Sequence, residues 1–324
     1  MKRKRIAVLR GGPSFEYDIS MKTGAAVLQA LSELGYEVLD IPVTKDGQWL
    51  REGRVKSPEQ ALLAVDVAFI AMHGAYGEDG TIQRIFERLH IPFTGSNSFP
   101  SNVAFNKDLT KRTLRDTGIK MPKHIKVQRQ YANQISEIVS AITTSFGPEY
   151  VIKPALGGSS HGVIMVSGSN ELADGIKISL QAYEECLVEE RIRGTEATCA
   201  VLGDFRGYTL YALPPVEIIP ASGHNYFDNV AKYDGSTTEI CPGRFAYNEK
   251  QKMLDLATLV HQTLGLSQYS RTDCIVRDGE IYFLEVNTLP GLTSESLYPK
   301  AATAVGLSFR QLISHLVTTA AVRI

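Results

Sequence analysis

The first hundred residues alternate compact apolar runs with amphipathic stretches. Ile6–Leu9 predicts a buried strand, and Gly11-Gly12-Pro13-Ser14 predicts the turn that follows it. From Ser20, placed as an N-cap, Leu28, Leu31 and Leu34 mark one face of a helix that Gly35 stops. Glu37–Val43 and Val67–Met72 predict two further strands, the second followed by a glycine-rich loop and a helix over Thr81–Leu89. Strand–helix–strand alternation at this spacing predicts parallel strands with right-handed crossovers. Ligands in such sheets sit beyond the carboxyl ends of the strands, which singles out the loops Gly11–Ser20 and His73–Gly80.

The pattern changes near Gly95. A polar helix over Asn106–Thr117, an extended run Met121–Val127, a helix over Ile135–Ser145 and the strand Tyr150–Lys153 form a second unit. In it, Gly157–Gly162 links that strand to Val163–Val166, and a helix follows over Glu171–Tyr183. From Leu187 the chain is richer in strands: Glu196–Leu202, Gly207–Ala212 and Val216–Ile219. The long polar stretch Pro220–Pro242 has the character of a functional lid. A helix (Glu249–Leu264), the strands Arg271–Val276 and Ile281–Val286, and a helix over Phe309–Thr319 complete the chain. These shifts predict an α/β chain with α+β character in its C-terminal parts. The units expected are 1–95, 96–186 and 187–324, with the lid at 220–242.

Composition removes several function classes. A formal net charge of -1 over 324 residues argues against a nucleic-acid partner held by a broad basic field. The basic start, Met1 to Arg5, is followed by an apolar run short of the roughly 7–15 residues of a signal peptide. No apolar stretch reaches the roughly 18 residues of a membrane span. Cys186, Cys199, Cys241 and Cys274 form no C-x-x-C pair, so neither zinc nor a disulfide framework is expected. The expectation is a cytoplasmic protein with no membrane and no nucleic-acid partner.

Most of the candidate chemistry sits between Arg271 and Asn287. Two apolar runs flank Asp278-Gly279, which predicts a hairpin. A two-residue turn would pair Arg277 with Glu280, set Asp273 opposite Leu284 and separate the carboxylates. A three-residue turn, Arg277–Gly279, pairs Arg271 with Glu285 and puts Arg271, Asp273, Glu285 and Asn287 on one face. Thr272, Cys274, Val276, Tyr282, Leu284 and Val286 then share a mostly apolar face, so the three-residue turn is the one expected. Two carboxylates and an amide oxygen on one face suit Mg²⁺. The alternative is a solvated polar face carrying an Arg–Glu pair.

Pro154–Gly162 follows a strand ending in Lys153, and its glycines would let backbone N–H groups approach a phosphate. It lacks the Gly-Lys-Ser/Thr of a Walker loop, and Gly11-Gly12 lacks the dinucleotide fingerprint. A plain glycine-rich hairpin loop is the alternative. Lys107 and Lys153 are candidate phosphate ligands.

Six stretches in order then resemble the D-alanine–D-alanine ligase family of the ATP-grasp superfamily, over nearly the whole chain. They are Gly11–Ser20, His73–Gly80, Lys153–Gly162, Ala231-Lys232-Tyr233, Arg271-Thr272-Asp273 and Leu284–Leu297. The resemblance implies an ATP-grasp fold preceded by a Rossmann-like N-terminal domain. It implies an ADP-forming ligase using ATP and two Mg²⁺, for which Mn²⁺ can substitute, and a homodimer. Lys107 and Lys153 would hold phosphates under a loop carrying Gly158, Ser159 and Ser160. Glu189, Glu190 and Ile192 would meet the adenine, Glu196 the ribose, and Lys232 the nucleotide. Asp273, Glu285 and Asn287 would bind the metals. Glu16, in a network with Ser159 and Tyr233, would anchor the ammonium of the first D-alanine, with His73 beside it. Arg271 and the Gly291 N–H would stabilise the oxyanion, and Ser296 with Leu297 would hold the second carboxylate.

Two positions depart from the family pattern: Tyr17 stands where many relatives carry histidine or arginine, and His161 where many carry valine. The competing readings are a D-alanine–D-lactate ligase, or one for other amino acids, on the same fold, and a nucleotide-binding regulator without turnover. Tyr233 favours the dipeptide over the ester. The complete metal and oxyanion set argues against the regulator.

Overall fold

The computed structural model describes residues 3–220 and 237–322. Its frame is three sheets. The first contains β1 (Arg5–Gly11), β2 (Glu37–Val43), β3 (Trp49–Arg51), β4 (Arg54–Lys56) and β5 (Val67–Ile70), in the order β4-β3-β2-β1-β5. β1 runs parallel to both β2 and β5, as the alternation predicts, so both loops of interest leave the same edge of the sheet. The β3–β4 hairpin is an addition that three-residue strands gave no periodic signal for. Helix α1 (Tyr17–Glu33) begins one turn earlier than expected, with Glu16 at its N-cap position. Ser20 is therefore not the cap. It lies buried inside α1, and its hydroxyl accepts the His73 N–H at 2.9 Å. α2 (Pro58–Ala61) and α3 (Thr81–Arg88) complete this unit.

α4 (Ser98–Phe105) and α5 (Lys107–Thr113) replace the single polar helix expected over Asn106–Thr117. Asn106 ends one helix and caps the next, its Oδ1 accepting from the Leu109 N–H at 3.0 Å. The second sheet, β6 (His124–Gln128), β7 (Glu149–Pro154), β8 (Ile164–Ser167) and β9 (Glu185–Glu190), runs in the order β6-β9-β7-β8, with α6 (Ile135–Ser145) and α7 (Gly168–Ala182) packed on it. β9 straddles the boundary expected at 186/187, because its pairing partners β6 and β7 both belong to this sheet.

The third sheet holds β10 (Thr195–Phe205), β11 (Tyr208–Ala212), β12 (Val216–Ile219), β13 (Thr238–Ile240), β14 (Tyr269–Arg277) and β15 (Glu280–Asn287). α8 (Tyr247–Thr263) covers one face of it. α9 (Leu297–Ala304) and α10 (Phe309–Val322) return to the first sheet, where Leu312, Ile313 and Leu316 share one core with Ile6, Leu9 and Phe69. That return fixes the first sheet against the third, and so fixes the two loops of interest against β14 and β15. No helix among the described residues is long and apolar enough to cross a membrane.

Candidate active site

The β14–β15 hairpin corrects the expected turn and keeps its consequence. Arg277 pairs with Glu280, so the turn has two residues, with Asp278 (φ 52°) and Gly279 (φ 75°) both left-handed. Counted from that turn, Asp273 would oppose Leu284. A bulge at Leu284 shifts the register, so Cys274 pairs with Phe283 and Asp273 with Glu285. Arg271 then pairs with Asn287 rather than with Glu285. The core face is also revised near the turn: Ile281 and Phe283 are buried, while Tyr282 and Leu284 lie on the half-exposed face. One inserted residue thus places Arg271, Asp273, Glu285 and Asn287 together despite the short turn.

These groups hold one another in a charge-balanced cluster. Arg271 grips Asp273 with both nitrogens, Nε to Oδ1 and Nη2 to Oδ2, each at 2.7 Å. Asn287 Nδ2 donates to Asp273 Oδ2 at 3.1 Å. Lys107 Nζ lies 3.5 Å from Glu285 Oε2 and donates to the Gly157 carbonyl. The donor chemistry fits Mg²⁺: hard oxygens, half-buried and facing a cleft, with Arg271 and Lys107 supplying the positive charge that a divalent ion would bring.

A cavity of 370 Å³ lies between the second and third sheets, large enough for a nucleotide. Lys107, Lys153, Gly158, Ser160, Glu189, Glu190, Ile192 and Glu196 line it, and Asp273 and Glu285 close its inner end. Every expected nucleotide residue in the described part except Ser159 therefore faces this one space. Lys232 and Tyr233 lie outside the described residues.

Glu189 carries a feature the sequence reading missed. Lys111 Nζ sits 2.7 Å from its Oε1, and Lys153 Nζ 2.8 Å from its Oε2. Burial alone would raise the carboxyl, but the two ammonium groups outweigh it and bring the pKa down to about 2. Lys111 is fully buried on α5, one turn after Lys107. That i,i+4 spacing was the available signal, and a lysine in a polar helix usually reads as solvated.

A second cavity lies across the Gly157–Gly162 loop. Glu16, His73, Ser159, Arg271, Asn287, Gly291, Ser296 and Leu297 all line it. Gly74 lets the wall approach Glu16: a Cβ there would stand 2.8 Å from Glu16 Oε2. A Cβ at Gly291 would likewise stand 2.8 Å from Ser296 Oγ, so only glycine leaves that N–H open beside the hydroxyl. Ser296 sits at the N-cap position of α9 and Leu297 opens the helix, whose N-terminal end favours an anion.

His73 is held too firmly to serve as a mobile base. Its Nδ1 meets the Leu289 carbonyl at 2.9 Å and its Nε2 meets Thr23 Oγ1 at 2.8 Å. A carbonyl only accepts, so Nδ1 carries the proton, and burial pushes the imidazolium pKa down. The ring is neutral and accepts from the Thr23 hydroxyl. Tyr17 points elsewhere: Lys45 Nζ stands 5.1 Å over its ring centroid.

Glu78, within the His73–Gly80 loop, also faces this cavity. Its oxygens accept the Gly74 N–H at 2.7 Å and the Leu289 N–H at 3.2 Å. Burial, with the Glu16 carboxylate adding to it, pushes its pKa up to about 8. A raised native pKa means the folded state binds the extra proton. Stability is therefore full below the unfolded value near ~4.3 and is lost as pH rises towards about 8. Glu78→Gln is expected to flatten that decline, and thermal melts of both proteins from about pH 5 to 9 check it. Parallel pH profiles would contradict the assignment.

The chain is similar to known proteins over its whole length. The family model described as D-ala D-ala ligase C-terminus matches residues 113–318, and the one described as D-ala D-ala ligase N-terminus matches 5–61 and 51–96. The chain is 37% identical to a D-alanine–D-alanine ligase of Syntrophobacter fumaroxidans, with 97% of each chain covered. It is 39% identical to D-alanine–D-alanine ligase B of Mesorhizobium japonicum, with 99% of each covered. Among solved structures, the VanG D-Ala:D-Ser ligase of Enterococcus faecalis superposes with a TM-score of 0.84 at 31% identity, covering 98% of this chain and 100% of that one. The Bacillus anthracis D-alanine–D-alanine ligase complexed with ATP gives 0.80 at 31% identity, covering 99% and 97%. With both family models and the full-length relatives in agreement, the chain belongs to the D-alanine–D-alanine ligase family, ADP-forming ligases of the ATP-grasp fold that use ATP and Mg²⁺.

Proposed function

We propose that this protein joins two D-alanines through a D-alanyl-phosphate, as a step towards peptidoglycan precursors, and works as a cytoplasmic homodimer. The observation that carries the reading is the pair of cavities meeting at one loop. The nucleotide groups line one, and Glu16, Arg271 and the start of α9 line the other.

A carboxylate is a poor electrophile for an amine, so it must first gain a leaving group. Glu16 holds the first D-alanine by its ammonium and turns its carboxylate towards the γ-phosphate. A carboxylate oxygen attacks the γ-phosphorus, ADP leaves, and the acyl-phosphate forms. Lys107 and Lys153 neutralise charge on the moving phosphoryl group. Asp273, Glu285 and Asn287 would hold Mg²⁺, which when bound would add to that neutralisation. The second D-alanine, its carboxylate at Ser296 and the Leu297 N–H, presents its amine to the acyl carbon. The oxyanion that forms meets Arg271 and the Gly291 N–H. Collapse expels phosphate, and the amine loses its proton. Keeping water from the site protects the acyl-phosphate; Lys232 and Tyr233, to which the family resemblance gives parts here, lie outside the described residues.

A D-alanine–D-serine ligase of this fold is a solved relative, so the choice of second substrate is the finer point. The mechanism is checked with D-alanine labelled with ¹⁸O in its carboxylate. The label should appear in the released phosphate, since the attacking oxygen leaves with phosphorus. Unlabelled phosphate alongside dipeptide would rule out the acyl-phosphate.

A further inference from the structure

The partition between the two cavities is the loop Gly157–Gly162, and it is an unusual piece of backbone. Ser159 (φ 56°) and Ser160 (φ 57°) are consecutive left-handed residues with side chains. Each such residue costs of order 1 kcal/mol unless its surroundings hold it. The double twist sends Ser159 to the substrate side, while Ser160 and His161 line the nucleotide side. A Cβ at Gly158 would stand 3.8 Å from Glu16 Oε2, so the loop lies directly over the first-substrate carboxylate. Within the loop the His161 N–H reaches the Gly158 carbonyl at 3.2 Å and the Val163 N–H reaches the Ser160 carbonyl at 3.4 Å, and Lys107 Nζ donates to the Gly157 carbonyl at its start.

A further contact reaches the loop from across the site. Phe15, adjacent to Glu16, stacks on His161 with ring centroids 4.4 Å apart and planes 25° apart. Phe15 remains 86% exposed with that stack in place, so the ring contact with His161 sits at the open surface of the site. We infer that Phe15 and His161 form a latch that holds the phosphate loop closed over Glu16, so that they are positioning residues coupling the first-substrate site to the nucleotide site. The departure at His161 thereby acquires a role: it replaces an aliphatic side chain with a ring that Phe15 can stack against. The inference rests on the ligase reading above. When the latch is shut, loop and N-terminal turn move as one and water is kept from the acyl-phosphate. When it is broken, the loop opens more often and some intermediate hydrolyses, giving phosphate and free D-alanine.

The test compares wild type with Phe15→Ala, His161→Ala, the double variant and His161→Phe. Two quantities are read: phosphate released per dipeptide formed, and affinity for a non-hydrolysable ATP analogue with D-alanine present. Either alanine variant should bind the analogue about five-fold more weakly, the worth of an aromatic pair at ~1 kcal/mol. Each should also release more than one phosphate per dipeptide. The double variant should be no worse than either single one, and His161→Phe should restore both quantities. Unchanged coupling and affinity in the single variants, or losses that add in the double, would overturn the latch. Wild type that makes no dipeptide from D-alanine would instead defeat the ligase reading, while the binding cycle would still decide the latch.

Discussion

Glu285→Ala is expected to lower turnover by at least about 10³-fold, ~4 kcal/mol of barrier, while the protein stays folded. Glu285 faces the inner end of the nucleotide cavity, opposite Asp273 across a bulge whose effect is to bring the two carboxylates into register. Removing it takes a full charge from the metal set and leaves Lys107 with the Gly157 carbonyl alone. The cost to stability falls below the about 3–5 kcal/mol of stranding a fully buried charge, because the Lys107–Glu285 contact is long, at 3.5 Å, and Glu285 is 22% exposed, Lys107 9%. Phosphate release and a thermal melt on the same preparation check both halves. A folded variant with near-normal rate would remove Glu285 from the metal set.

Lys111→Met is expected to act the other way, on the fold before the chemistry. Lys111 and Glu189 are both buried, and Lys111 supplies one of the two ammonium groups that keep Glu189 ionised. Without it Glu189 retains Lys153 only, which must then both satisfy the carboxylate and serve the phosphates. Breaking a buried pair from one side costs about 3–5 kcal/mol, and Lys153 holds the loss to the lower end of that range. A fall in melting temperature on the order of 5–10 °C follows. Changing Glu189 to Gln in the same background removes the stranded charge and should recover more than half of the loss. No recovery would mean that Lys111 acts through packing of its stem rather than its charge.

The sequence made some of this legible and hid the rest for identifiable reasons. The parallel strands of the first sheet could be read because Ile6–Leu9 and Val67–Ile70 are continuous apolar runs separated by a helix of clear periodicity. The chemistry of the hairpin was legible in residue type, since carboxylates, an amide and an arginine at alternating positions need a shared face. The turn was not, because a two-residue turn with a bulge and a three-residue turn without one both put these groups on one face. Only the pairings separate them, Arg271 with Asn287, Asp273 with Glu285 and Cys274 with Phe283. Lys111 and Glu78 were hidden for a common reason. Burial of a charge depends on partners distant in sequence, Glu189 for the first and Leu289 for the second, which no local pattern announces. The Phe15–His161 contact was hidden likewise, since it joins residues from two different sheets' loops.

The most direct test of the ligase reading is incubation with Mg·ATP and D-alanine alone, with phosphate counted and products identified by mass. D-alanyl-D-alanine should form with one phosphate per dipeptide, at a rate that saturates in D-alanine, and D-lactate or D-serine as second substrate should compete poorly. Phosphate release without dipeptide from D-alanine, alongside efficient coupling of another acceptor, would contradict it.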